Sequence, residues 1–405
     1  MRILIVGSGG REHALAWKLV QSPRVEVFGA PGNPGIAEVG KCLAGSPLEA
    51  AEAVDADLTV VGPEAPLVEG VVDALRARGR RVVGPDARAA RLEGSKIFAK
   101  RFFVEHSIPT AEYTTVAGPE EARGQLDRFD FPVVLKADGL AAGKGVIVVR
   151  DRAGAEIALR TLRGPLVIEE MLRGEEVSFI ALCDGRTALP LAATQDHKAV
   201  FDDDRGPNTG GMGAYCDSAI LTPAQESEIL DRVIQPTVEA TGFTGFLYAG
   251  LMMTESGPKV LEFNVRLGDP ETQPLMHRMA SDFVPALVAA ATGDLGGASL
   301  EWKPGPSVCV VLASSGYPGA YQTGKPISGI ETAEDRGATV FQAGTRRGAA
   351  GLETAGGRVL GVTAGGDNLA QAMALAYRAC EAIHFEGVHY RRDIGRKGLS
   401  RYNKD

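Results

Sequence analysis

Five cysteines (Cys42, Cys183, Cys216, Cys309 and Cys380) are scattered along 405 residues, an odd number with no C-x-x-C pair. That spacing excludes a disulfide framework or a zinc ribbon and points to a reducing compartment. No strong basic excess is present. With 43 Lys and Arg against 51 Asp and Glu, the net charge is −8. An acidic balance argues against nucleic acid as the main partner. No apolar run is long enough for a membrane span; the longest helix-like one, Phe283 to Thr292, is too short. A strand-like run begins at Arg2, which leaves no room for a signal peptide. The expectation is a cytoplasmic protein without nucleic-acid or membrane partners. Internal repeats and low-complexity tracts are also missing. The 51 glycines follow no G-X-Y period, so collagen is excluded.

What is present is a long, apolar-rich chain. At 44% hydrophobic residues it can bury several cores, and its length suggests two to four domains. Arg2 to Val6 reads as a buried parallel strand, followed by a glycine turn and a helical pattern from Arg11 to Val20. Strands at Val25–Phe28, Leu58–Val61 and Arg81–Val83 alternate with further helical patterns, the texture of a doubly wound α/β unit. After a helix at 95–106, strands at Tyr113–Val116, Pro132–Ala137, Val146–Val149, Leu166–Glu169 and Val177–Cys183, with helices at 119–128 and 153–162, read as an α+β module. Gln195 to Tyr215 reads as a polar, glycine-rich loop. A long helix at 223–240 precedes strands at Leu247–Met253 and Lys259–Asn264. The last hundred residues carry strands at Val308–Leu312, Thr339–Ala343 and Arg358–Thr363 and a helix at 367–384.

Five segments can carry chemistry. Gly7-Ser8-Gly9-Gly10 joins a strand to a helix and offers backbone N–H groups to a phosphate. A dinucleotide fingerprint fails there: Glu12 stands where the third glycine belongs, and Phe28-Gly29-Ala30 holds no ribose-binding acid. Lys136-Ala137-Asp138-Gly139 to Gly143-Lys144-Gly145 brackets three glycines with two lysines, a loop suited to phosphates but without Walker spacing. Ile168-Glu169-Glu170-Met171-Leu172 runs into the acidic Glu175-Glu176; an adenine could bond such a linker and a carboxylate could take ribose hydroxyls. Alone, that pattern fits a solvated acidic loop equally well. Glu262, Asn264 and Arg266 alternate with Phe263 and Val265 and share one strand face. Carboxylate and amide oxygens suit Mg²⁺, and a guanidinium can stabilise a transferring phosphoryl group. A polar strand face in water is the bland reading. Gln195-Asp196-His197-Lys198 and Asn208 to Gly213 form long polar loops that by themselves specify no single chemistry.

Together these segments resemble the ATP-grasp superfamily, and within it the phosphoribosylamine–glycine ligase (glycinamide ribonucleotide synthetase) family. The carrying strings are Gly9-Gly10-Arg11-Glu12-His13, Gly62-Pro63-Glu64-Ala65-Pro66-Leu67, Leu92-Glu93-Gly94-Ser95-Lys96, Lys136 to Gly145, Pro207-Asn208-Thr209-Gly210-Gly211-Met212-Gly213 and Gly268-Asp269-Pro270-Glu271-Thr272-Gln273. The last two are the most specific, and the likeness extends to Arg392-Asp393-Ile394-Gly395. The resemblance implies a multi-domain α/β protein. Residues 1–100 would form a Rossmann-like domain, 101–300 an ATP-grasp domain with a mobile lid at about 112–185, and 301–405 an α+β domain. It implies ligation of glycine to 5-phosphoribosylamine through glycyl phosphate, with ATP and Mg²⁺ (or Mn²⁺), by a monomer.

The resemblance also assigns residues. Lys96, Lys136, Gly143, Lys144 and Gly145 would hold ATP phosphates, Glu169, Glu170 and Leu172 the adenine, and Glu176 the ribose. Glu262 and Asn264 would bind the metal. Arg266, Lys144 and Asp196 would act in catalysis. Gly9, Gly10, Arg11, Glu64, His197, Lys198, Asn208, Gly210 and Gly211 would shape the substrate pockets. Many ATP-grasp enzymes carry a further acidic metal ligand on the preceding strand, where this chain has Ala249-Gly250; the connection Arg163-Gly164-Pro165 is also shorter than the family leads one to expect. The two specific strings argue against a related carboxylase or transferase. Glu262, Asn264, Lys136 and Lys144 together argue against a nucleotide-binding regulator without turnover.

Overall fold

The computed structural model describes residues 1–140, 145–349 and 351–403. Among them, the first five strands form a parallel sheet in the order Lys41–Cys42, Glu26–Pro31, Arg2–Gly7, Leu58–Val61, Val82–Val83. Ile3, Leu4, Ile5 and Leu58 are fully buried, because helices cover both faces. The strand order reverses on either side of Arg2–Gly7. A crevice therefore opens at the carboxyl ends of Arg2–Gly7 and Leu58–Val61, where Gly9, Arg11 and Glu64 follow.

A four-stranded antiparallel sheet follows, ordered Tyr113–Val116, Leu166–Glu170, Val133–Ala137, Val146–Val149. The helices Pro119–Gln125 and Arg152–Thr161 cover it. Val116, Leu126, Val133, Leu135, Leu159, Leu166 and Ile168 form its own apolar core. The strand Glu175–Asp184 leaves this unit and runs in the large sheet.

That large sheet is antiparallel, and its main path runs Gly257–Asn264, Thr244–Thr254, Glu175–Asp184, Thr194–Asp196, Gly213–Cys216, Ser307–Ala313, Arg358–Gly365, Thr339–Gln342. The C-terminal strands thus extend the central sheet. Their apolar faces join one core with Phe179, Leu247, Val260 and Phe263.

Three local expectations are corrected. Gln195 to Tyr215 is not simply a loop: Thr194–Asp196 and Gly213–Cys216 are interior strands, and Ala199–Phe201 pairs with Arg205–Asn208. These strands are too short to display a period, and the sheet buries both faces of Gly213–Cys216. The helix at 223–240 is split into Pro223–Ile229 and Gln235–Thr241 by a wide π turn at Leu230–Ile234, next to Pro236, which has no N–H to donate. The final helix is Leu369–Cys380, started by the Asn368 side chain, which accepts from the Gln371 N–H. All five cysteines are free, Cys42 exposed and the others buried. No helix among the described residues is long and apolar enough to cross a membrane.

Candidate active site

The crevice beside the first strand is closed by charge. Glu12 Oε2 accepts the Gly9 N–H at 2.5 Å, and its Oε1 accepts from Arg11 Nε at 2.5 Å. Gly62 makes room for this carboxylate: a Cβ there would lie 2.0 Å from Glu12 Oε1. The Gly9 amide, expected to face a phosphate, is therefore already bonded. Gly10 is buried against Gln273. Arg11 Nη1 reaches across to the Leu267 carbonyl at 3.0 Å. Asn33 Nδ2 donates to the carbonyls of Ser8 and Gln342, tying the glycine turn to a C-terminal strand.

Arg266 is the next junction. Its Nη2 lies 2.9 Å from Glu93 Oε1 and 3.1 Å from Asn264 Oδ1, and its Nε lies 3.4 Å from Glu64 Oε2. Glu93 Oε2 also accepts the Val265 N–H at 2.7 Å. Burial pushes the Glu93 carboxyl up, and the Arg266 guanidinium opposes that. Burial would also raise Glu64, but Arg266 and Arg11 hold it below its ordinary value. Burial alone would lower Arg266; the two glutamates raise it instead. The guanidinium is thus charged, aimed and held on three sides.

One strand step back, Glu262 faces Lys198, with Nζ 3.6 Å from Oε1, and Lys198 lies 3.5 Å from Glu176 Oε2. Burial opposes ionisation of Glu262, yet Lys198, Lys136, Lys96 and Arg266 together lower its carboxyl. Asp196 is raised to about 7, by burial first and by Glu271, Glu176 and Glu262, against the pull of Lys198. Lys198 is raised well above its ordinary value because this surround of Glu176, Asp196, Glu262 and Glu271 outweighs its burial. Gly250 lies opposite Glu262 in the sheet and brings no carboxylate to it. Glu262 and Asn264 thus present two hard oxygens on one strand face, a donor set that fits a divalent cation sharing its shell with phosphates. Among the described residues no group of three or more His, Cys, Asp or Glu side chains could hold a metal ion.

The third wall carries lysines. Lys96 opens the helix Lys96–Glu105 after the Ser95 cap and donates to the Gly139 carbonyl at 2.8 Å. Burial lowers its pKa. Lys136 donates to the Leu261 carbonyl at 2.9 Å and pairs with Glu169 Oε2 at 3.0 Å. Glu170 points elsewhere, to Lys259 and the Glu112 N–H. Leu172 is buried. Gly145 closes the turn by accepting the Ala137 N–H, whereas Gly143 and Lys144 lie outside the described residues.

The structure brings Lys96, Lys136, Glu176, Asp196, Lys198, Glu262, Asn264 and Arg266 to one cleft. Three expected site residues sit differently. The Glu169 carboxylate is buried against lysines and does not line an open pocket. His197 is buried away from the cleft, where its Nε2 accepts the Gly395 N–H at 3.4 Å; burial pushes its pKa down to about 3. Asn208 is exposed at the end of a hairpin. Gly210 and Gly211 instead meet the second specific string: a Cβ on Gly211, at φ +113, would strike Pro270 at 2.4 Å.

Residues without an assigned role also converge. Glu93 and Glu271 stand inside the quoted strings, so their positions were visible but their partners were not. Tyr248 Oη donates to Glu271 Oε1 at 2.6 Å, beside Ser178. Lys100 and Arg358 carried no sequence signal.

Three family models match successive parts of the chain. The description "Phosphoribosylglycinamide synthetase, N domain" matches residues 1–93, the ATP-grasp (A) domain of that synthetase matches 94–272, and its C domain matches 307–397. The chain is 51% identical to the phosphoribosylamine–glycine ligase of Allochromatium vinosum and 49% identical to that of Pseudomonas aeruginosa, with 99% of each chain covered in both cases. The crystal structure of the Thermotoga maritima phosphoribosylamine–glycine ligase superposes with a TM-score of 0.85 at 36% identity, over 97% of this chain and 100% of that one. A biotin carboxylase domain of Hydrogenobacter thermophilus 2-oxoglutarate carboxylase, solved with MgADP, ADP and bicarbonate, shares the fold at a TM-score of 0.72 and 17% identity, covering 96% and 91%. Family models that together cover most of the chain, and full-length likeness at about 50% identity, place the protein in the phosphoribosylglycinamide synthetase family.

Proposed function

We propose that this chain joins glycine to 5-phosphoribosylamine at the expense of ATP, giving glycinamide ribonucleotide, ADP and phosphate, the second step of de novo purine biosynthesis. The observation that carries the site reading is the meeting of Glu262, Asn264 and Arg266 with Lys96, Lys136 and Lys198 in one cleft.

A carboxylate is a poor electrophile. Transfer of the ATP γ-phosphoryl group to the glycine carboxylate oxygen makes a mixed anhydride, and ADP leaves. The amine nitrogen then attacks the glycyl carbon, phosphate leaves, and the amine gives up a proton. This path needs no protein nucleophile; the chain orients reactants and places positive charge where negative charge develops. Lys96 and Lys136 supply ammonium groups to the phosphates, and Lys144, outside the described residues, is assigned to the γ-phosphate. Glu169 to Leu172 frames the adenine, the Glu169 part through main chain, and Glu176 takes the ribose. Glu262 and Asn264 would hold a divalent cation, Mg²⁺ or Mn²⁺, which neutralises phosphate charge when bound. Arg266, held by Glu93 and Glu64, faces the phosphoryl group in flight. Asp196 and Lys198 border the acceptor side. Gly9, Gly10, Arg11 and Glu64 wall the phosphoribosylamine pocket at the sheet's switch point. The protein acts in the cytoplasm, a reading supported by its five free, scattered cysteines, and as a monomer, a reading that rests on likeness to the family alone.

The test supplies purified protein with ATP, Mg²⁺, glycine and freshly generated phosphoribosylamine. ADP release should require both glycine and the amine. ADP formation indifferent to either would reject the reading.

A further inference from the structure

We infer that Lys100 is a positioning residue for nucleotide binding: it serves as an anchored counter-ion of Glu169, so that Lys136 can leave that carboxylate for the ATP phosphates. The inference rests on the reading of Lys136 as a phosphate-binding group.

Glu169 has one carboxylate and two ammonium partners. Lys100 Nζ lies 3.1 Å from Oε1 and Lys136 Nζ 3.0 Å from Oε2. All three side chains are buried, at 3%, 8% and 2% exposure for Lys100, Lys136 and Glu169. The cluster thus carries one surplus positive charge. Lys136 is its cleft-side member. Its other bond is to the Leu261 carbonyl beside Glu262.

Lys100 is anchored where it stands. It donates to Thr110 Oγ1 at 2.6 Å, and Thr110 in turn donates to the Val260 carbonyl at 2.7 Å. The rings of Tyr113 and Phe103 flank its ammonium at 5.3 and 6.0 Å. Lys96 and Lys100 lie four residues apart on the helix Lys96–Glu105, so one helix face supplies both a phosphate lysine and this counter-ion. Lys100 itself is too buried to meet nucleotide and acts through Glu169.

Removing one partner of a buried ion pair is costly because it strands the other charge. Without Lys100, any move of Lys136 toward phosphate would leave Glu169 bare. With Lys100 present, Glu169 stays compensated while Lys136 is shared or released.

The charged groups facing Lys100 are Glu169 and Glu170 from the strand Leu166–Glu170 and Lys136 from Val133–Ala137. Glu170 is engaged by Lys259, and burial raises Tyr113, so that phenol keeps its proton. Burial pushes Lys100 down to about 8, with Glu169 opposing. Lys100 therefore carries its charge below about pH 8 and loses it above.

The experiment measures MgATP dissociation constants by calorimetry from pH 6.5 to 9.5, with circular dichroism as the check on folding. Lys100→Met should weaken MgATP at least about tenfold at pH 7 and leave the KM of glycine within twofold. Wild-type affinity should fall as pH rises through about 8. Lys100→Arg, whose guanidinium does not titrate there, should bind MgATP at pH 7 and lack that fall. The double variant Lys100→Met/Glu169→Gln should regain affinity relative to Lys100→Met, since no bare carboxylate remains. A folded Lys100→Met with wild-type affinity overturns the inference, as does a wild-type profile flat across pH 8. Should Lys100→Met not fold, the Lys100→Arg profile decides alone. Lys136→Met separates the two readings. If it leaves MgATP affinity unchanged, the phosphate role of Lys136 falls and the inference with it. If it weakens MgATP while Lys100→Met does not, only the inference falls.

Discussion

Arg358 holds Asp269 twice, through Nη1 to its main-chain carbonyl at 2.5 Å and through Nη2 to Oδ2 at 3.1 Å. The same Nη1 donates to the Gly210 carbonyl at 2.7 Å. One side chain from a C-terminal strand therefore ties together the two most specific strings of the chain, residues 207–213 and 268–273. Replacement by Met frees both strings and leaves the half-buried Asp269 carboxylate with the Gln273 side chain as its partner. Arg358→Met should lose about 2–4 kcal/mol in urea unfolding and raise the substrate KM values more than it changes the KM for ATP. Unchanged unfolding and KM values would remove the linking role.

Glu262→Ala removes one of two proposed cation oxygens from a strand face whose core residues, Phe263 and Val265, stay in place. Turnover should drop to background while the circular dichroism spectrum is retained. Retained turnover would reject the metal assignment.

Arg266→Lys keeps the charge but loses the fork that meets Glu93, Glu64 and Asn264 at once. If the guanidinium acts mainly on the transferring group, kcat should fall roughly 100-fold with a smaller change in the ATP KM. The opposite split, a large KM effect with kcat kept, would assign Arg266 to ground-state binding.

Arg391 is fully buried and pairs with Asp393 Oδ1 at 2.7 Å and Asp204 Oδ1 at 3.1 Å, while donating to the Ala199 carbonyl. It clamps the hairpin that carries Lys198 toward Asn208. Arg391→Met should cost about 3–5 kcal/mol of stability, because the buried Asp393 keeps only the Asp203 N–H and the more distant Arg396. A loss under 1 kcal/mol, measured by urea unfolding, would mean water replaces the guanidinium.

His13 accepts the Gln342 N–H at 2.8 Å, and burial pushes its pKa down to about 4. An unfolded histidine titrates near 6.5, so between these values the unfolded chain binds the extra proton. The stability contributed by neutral His13 is complete above pH 6.5 and is lost as pH falls toward 4, by up to about 3 kcal/mol. In His13→Gln the dependence of unfolding free energy on pH across that window should be shallower by about one proton. An unaltered slope would show that His13 titrates normally in the folded state.

Much of the architecture was legible because local pattern reports local environment. Leu58–Val61 and Val146–Val149 stand where their apolar runs placed them, and the alternation put Glu262 and Asn264 on one strand face, although the strand ends at Asn264 and Arg266 follows it in a bend. What the chain by itself determined was therefore the set of strands, the glycine turns and the polar face of one strand. Partners were decided only by tertiary structure. Lys100 reads as one more cation on a helix until Glu169, far along the chain, is packed onto it. His197 lies between two site residues in sequence, yet its side chain goes to Gly395, because successive residues of an extended segment face opposite ways and only packing chooses which way is the cleft. Thr194–Asp196 and Gly213–Cys216 became interior strands because neighbours on both sides supply their hydrogen bonds, a condition that three or four residues cannot announce. Periodicity encodes which side of an element is buried. Which distant charge waits there depends on sheet order and long-range closure, which no short window of residues contains.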